Sequence, residues 1–137
     1  MAYPLTVIYL IFFGLTLLIF HPIQWVCFNF FGYNAHRTSV ALLNLYLMRC
    51  THILGTTYSF DNPHDIPTDK PLIMVPNHQS MHDIPPIIWF MRKHHPKFVS
   101  KKELGKGIPS VSYNLRHGGS VLIDRNDRKQ ALGEVIK

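Results

Sequence analysis

An α/β chain led by an apolar helical hairpin is what this sequence predicts, on three observations. No Asp, Glu, Lys or Arg precedes Arg37. Beyond residue 55, short apolar runs of strand length alternate with segments of helical period, the pattern of a sheet flanked by helices. Charge is divided along the chain: residues 1–91 hold three Lys or Arg against four Asp or Glu, and residues 92–137 hold eleven against four. A length of 137 residues allows one compact domain. With 47% hydrophobic and 16% charged residues, intrinsic disorder is excluded. The two cysteines, Cys27 and Cys50, form no CxxC pair, which removes a disulfide scaffold, a zinc knuckle and a thioredoxin-type site.

The first element is the apolar run Pro4 to Phe20. At ~1.5 Å per residue it reaches about 25 Å, the lower limit for a bilayer core. His21-Pro22 should interrupt it, because proline removes a helical hydrogen bond. Trp25, Phe28, Phe30, Phe31 and Tyr33 follow, suited to the membrane–water interface. A secretory signal fits poorly, since the run lacks both a basic n-region and a small-residue cleavage site. Residues 1–35 are therefore read as embedded, as a kinked helix pair in the interface.

Thr38 to Leu54 carries apolar residues at Val40, Leu43, Leu47 and Leu54, an amphipathic helix packed back on the first and stopped by Gly55. Thr56, Tyr58 and Phe60 suggest a short strand, and Asn62-Pro63 and Ile66-Pro67 a loop. Pro71 to Val75 reads as a strand buried on both faces. A helix is expected over Ile87–Arg92, a strand over Phe98–Ser100, and a helix over 103–116 broken by Pro109. Gly118-Gly119 should turn the chain into a strand at Val121–Asp124, with a last helix from Arg128.

Polar chemistry gathers at Asn77-His78-Gln79-Ser80-Met81-His82-Asp83, directly after the expected buried strand. Ligands of open α/β sheets collect at the carboxyl ends of strands. Histidine is a natural general base near neutral pH, and a carboxylate fixes its tautomer. His78 and Asp83 can meet only if the chain turns between them, since five residues on one helix lie about 140° apart. Structural readings stand beside this one. Asp83 can cap a helix that starts on Ile84-Pro85-Pro86, or Ser80 can cap with Asp83 closing a capping box. His78 and His82 are spaced as metal ligands, but no third ligand lies at a recognisable spacing. His94-His95 read as a solvated helix end.

These residues resemble a family. Asn77-His78-(four residues)-Asp83 is similar to the NHx4D signature of the glycerolipid acyltransferases related to bacterial 1-acylglycerol-3-phosphate acyltransferase. Phe98-Val99-Ser100-Lys101-Lys102-Glu103-Leu104, with Ile108-Pro109, resembles the family's Lys-x-Glu-Leu segment. Gly118-Gly119-Ser120-Val121-Leu122-Ile123-Asp124-Arg125 resembles its second signature. The resemblance covers residues 55–137 and implies a partial glycerolphosphate-acyltransferase-like sheet flanked by helices. Residues 1–54 are then the membrane-associated hairpin, and 55–137 the amino-terminal part of the catalytic domain. The family's Glu-Gly-Thr-Arg motif does not occur before Lys137. The expectation for these 137 residues alone is therefore little or no turnover.

By that resemblance, His78 is the general base and Asp83 its orienting carboxylate, with Asn77 and Ser80 in the same substrate-binding loop. Arg125 first and Lys101 second hold the acceptor phosphate. The implied donor is an acyl thioester on coenzyme A or acyl carrier protein, and the acceptor is 1-acylglycerol-3-phosphate. The product is phosphatidic acid, and no metal or dissociable cofactor is called for. The implied place is a membrane, at the cytoplasmic face of the bacterial inner membrane. The other basic residues read as a solvated face or as attraction to anionic lipid. Two other classes stay open. One is a catalytically inactive, membrane-anchored binding module of the same fold. The other is a nucleic-acid binder, disfavoured because the aromatics do not interleave with the basic residues.

Overall fold

The computed structural model describes residues 2–62, 64, 66–77 and 79–136. Helix α1 (Ala2–Phe30) runs unbroken through Pro22. The expected break at His21-Pro22 is thus absent, and the chain turns only at Gly32, whose φ of +80° suits glycine. Ser110 braces the proline turn from outside. Its hydroxyl donates to Leu17 O at 2.6 Å, and its amide to His21 Nδ1 at 3.0 Å. Asn29 Nδ2, near the helix end, donates to the Tyr113 hydroxyl at 3.4 Å.

Helix α2 (Tyr33–Thr51) starts five residues earlier than its apolar period predicts and continues as one 3₁₀ turn, His52–Leu54, ended by Gly55. It packs antiparallel on α1, as the hairpin reading requires. Its buried side carries Val40, Leu43, Leu47 and Met48. Leu17, Leu43 and Leu47 form the core, with Phe13, Phe20, Ile108 and Val111 packed against it. The outer face of α1 stays apolar and exposed through Ile11, Leu18 and Trp25. A window of this helix has mean hydropathy 2.2 with only 11% of it buried, so its length and composition suit a membrane.

The α/β unit is smaller than the sequence pattern implies. Strands β1 (Val99–Lys101) and β2 (Val121–Ile123) pair in parallel, with Val99 opposite Val121 and Lys101 opposite Ile123. The crossover between them is the 3₁₀ turn Lys102–Gly105 and helix α4 (Val111–His117), after helix α3 (Ile84–Phe90). The predicted single helix over 103–116 is thus two pieces, parted around Pro109. Gly105 packs so closely that an added Cβ would stand 2.7 Å from Leu122 Cδ1. Gly119, at φ +82°, makes the expected turn into β2. Helix α5 (Arg128–Ile136) closes the unit. Gln130 accepts from Asp124 N and donates to Leu122 O.

Two expected strands do not form. Thr56–Phe60 is a loop held by side chains: Tyr58 OH meets Thr51 Oγ1 at 2.9 Å, and Phe60 stacks on Phe90 with centroids 4.8 Å apart. Pro71–Val75 is unpaired, and Ile73 and Val75 are 95% and 90% exposed. A strand needs a partner ladder, and the segment borders a cleft of about 710 Å³ that it shares with Phe98 and Val99. The molecule is mainly helical, with a two-stranded parallel sheet. Pro63 and Asp65, in the expected loop, lie outside the described residues.

Candidate active site

The polar loop enters α3 through a capping box. Ser80 is extended, and its Oγ accepts from His82 N at 3.2 Å. Asp83 Oδ2 accepts from Gln79 N at 2.9 Å and from Ser80 N at 2.8 Å. Of the alternatives left open by the sequence, Ser80 capping with Asp83 in the box is the one the chain adopts. Pro85 and Pro86 then occupy the first turn of α3, where a missing N–H costs little. One carboxylate oxygen thus fixes the path of residues 79–83. His78, the expected base, lies outside the described residues. Asn77 and Ser80 are exposed, and Asp83 is half-buried.

His82 has a role that spacing did not reveal. Its Nδ1 lies 3.3 Å from the Tyr9 hydroxyl, and its ring meets Tyr9 and Phe13 edge-on. This ties the loop to α1 across 73 residues of sequence, a separation no local motif reports. Among the described residues, no group of three or more His, Cys, Asp or Glu gathers as a metal site.

Lys101 and Arg125 sit elsewhere, at the carboxyl ends of the paired strands. Lys101 is in register with Ile123, and Arg125 follows two residues later. Both are exposed. Asp124 and Asp127, which could have paired with Arg125, are occupied by backbone. Asp124 Oδ1 takes Asn126 N at 2.9 Å, and Asp127 Oδ1 takes Lys129 N and Gln130 N at 3.0 Å. The turn therefore presents the guanidinium outward instead of consuming it.

His94 and His95 are not a solvated helix end. His94 Nε2 meets Pro67 O at 3.1 Å, and the His95 ring packs on Tyr33. Burial, then the charges of Lys97, Arg37 and His36, lower the His95 pKa to about 4. His36, between the rings of Phe28 and Tyr113, is lowered too, chiefly by burial.

A small β–α–β unit is carried on a helical hairpin whose first helix is long and apolar enough to cross a membrane, and its polar groups lie on loops at helix and strand ends, where functional residues gather. A family model described as Acyltransferase matches residues 58–136, more than half of the chain, and the chain belongs to that family. Among curated proteins and among solved structures, no match is found.

Proposed function

We propose that this acyltransferase moves a fatty acyl group from an acyl thioester, on coenzyme A or acyl carrier protein, to the free hydroxyl of 1-acylglycerol-3-phosphate, giving phosphatidic acid for phospholipid synthesis at a membrane. The supporting observation is the Asp83 carboxylate, held by two backbone amides at the mouth of α3. In this reading the capping box uses Oδ2, and Oδ1 orients the His78 imidazole and stabilises its cation. His78 takes the proton of the acceptor hydroxyl as its oxygen attacks the thioester carbonyl. The tetrahedral intermediate collapses, the C–S bond breaks, and the thiolate leaves with the proton returned from imidazolium. Asn77 and Ser80 belong to the loop that receives the reacting groups. Arg125 and Lys101 hold the acceptor phosphate, where a guanidinium can fork onto two oxygens. The apolar face of α1 keeps the site beside its lipid acceptor.

The test is formation of labelled phosphatidic acid from lysophosphatidic acid and labelled acyl-CoA, with an active form of the protein in detergent micelles. His78→Ala should abolish it. Asp83→Asn should cut turnover by about 10⁴-fold with substrate binding largely kept, the cost of losing an orienting carboxylate. Near-normal turnover in either variant refutes the dyad.

A further inference from the structure

The start of α2, the segment after α3 and the α4–β2 turn enclose a cleft of about 540 Å³. Arg37, Arg92, Lys93 and His95 line it, and no Asp or Glu among the described residues does. Two of these cations are held in place in advance. Arg37 Nη2 donates to Arg92 O at 2.7 Å and to Lys93 O at 2.9 Å. Arg92 Nη1 donates to Trp89 O at 2.8 Å, and its guanidinium lies 4.2 Å from the Trp89 ring centroid. Lys93 makes no side-chain hydrogen bond among the described residues. Lys97 stands beside them, bound to the Tyr33 hydroxyl and Gly118 O. Charges of one sign gathered in a concave, partly apolar wall raise each other's energy, and an anion relieves that cost. The lowered pKa of His95, to about 4, reports the same crowding after burial.

This cleft is not the reaction loop. Asp83 precedes α3 and Arg92 follows it, so the seven residues of α3 separate them, about 10 Å at ~1.5 Å each. Nor is it the pair at the strand ends, Lys101 and Arg125. Its surroundings point to the occupant. Phe30 and Phe31, at the corner between α1 and α2, are 71% and 72% exposed, and Tyr33 joins that corner to Lys97. Exposed aromatics beside an apolar helix mark the headgroup level of a bilayer. A planar guanidinium and an unengaged ammonium at that depth match a lipid phosphate.

We propose that the cleft is a phosphate-binding site for the headgroup of an anionic membrane phospholipid, separate from the site of the reacting acceptor. It seats the domain on the leaflet at the far end of α3.

Trp25→Phe leaves Trp89 as the sole tryptophan. In that background, the full chain in neutral detergent is titrated with dihexanoyl phosphatidylglycerol while Trp89 emission is followed. A saturable change is expected, reversed by excess inorganic phosphate and absent with dihexanoyl phosphatidylcholine. Lys93→Gln should weaken it about tenfold, as one charge-assisted hydrogen bond is lost. Arg37→Gln should weaken it at least as much, and Lys129→Gln, on α5, should leave it unchanged. The Lys93 side chain makes no hydrogen bond among the described residues, and its backbone carbonyl is kept in Lys93→Gln, so that variant keeps the test valid if Arg37→Gln unfolds. No saturable change, or a full response in Lys93→Gln, overturns the site. Saturation by coenzyme A but not by phosphatidylglycerol overturns the lipid assignment. Because no acyl transfer is read, His78→Ala should titrate normally, whatever becomes of the dyad. A lost response in that variant overturns the separateness of the two sites.

Discussion

Replacing Ser110 by alanine and by glycine should separate a hydrogen bond from backbone strain. Ser110 sits at φ +61°, ψ −49°, and Val111 N donates to Pro109 O at 2.6 Å across it. That is the rarer, strained form of the γ-turn. The residue is fully buried, and its hydroxyl holds Leu17 O. Alanine keeps the strained backbone and loses the hydroxyl bond, a net cost of about 0.5–1.5 kcal/mol. Glycine loses the same bond but removes a strain on the order of 1–3 kcal/mol. Its greater freedom in the unfolded chain returns about 0.5–1 kcal/mol of that gain. Ser110→Ala should thus lower stability by about 1 kcal/mol, and Ser110→Gly should come within about 1 kcal/mol of the parent, above alanine. At this length each kcal/mol is worth about 3–5 °C in Tm. Thermal unfolding in detergent, followed by tryptophan emission, reads the order of the three proteins. Glycine melting below alanine would refute the strain argument.

Three further outcomes are expected. Gln24 is fully buried with neither amide atom hydrogen-bonded among the described residues, so Gln24→Met should raise stability by about 1–3 kcal/mol; a fall in Tm would show that the amide is engaged. His95 titrates near 6.5 when unfolded and near 4 when folded, so between those values the unfolded chain takes up the proton first and stability falls as pH drops. His36 acts in the same direction, and urea midpoints at pH 7 and pH 4.5 should differ less in His95→Asn than in the parent. Arg125→Ala should raise the KM for the phosphorylated acceptor about tenfold and leave the donor's unchanged, an equal rise in both counting against a phosphate role.

Elements with a local cause were legible in the sequence. The period of Val40, Leu43 and Leu47 marks the buried face of α2, the apolar run after Gly119 marks β2, and Ser80 with Asp83 spells the capping box among its alternatives. What depends on distant partners was not. An apolar run such as Pro71–Val75 signals burial, yet burial needs a neighbour, and none pairs with it among the described residues. Pro22 breaks a helix in isolation, but here α1 packs along α2 and is braced by Ser110, 88 residues further on. Tyr9 with His82, and Arg37 with Arg92, are likewise joined by hydrogen bonds that only the tertiary fold brings together.

Three contacts that tie α1 to residues beyond α2 bear on how it can meet a bilayer. Tyr9 holds His82, Leu17 and His21 hold Ser110, and Asn29 holds Tyr113. Tyr9 to Asn29 spans about 30 Å at ~1.5 Å per residue, the whole thickness of a hydrocarbon core. Standing upright, the helix would drag the polar loop and the α4 turn into oil, where unpaired backbone groups cost several kcal/mol each. Lying flat, it sinks only the side that bears Ile11, Leu18 and Trp25. On the proposed function, the loop around Asp83 would then travel at constant depth over one leaflet, and a lipid acceptor would reach it by sideways diffusion without leaving the layer in which it is dissolved.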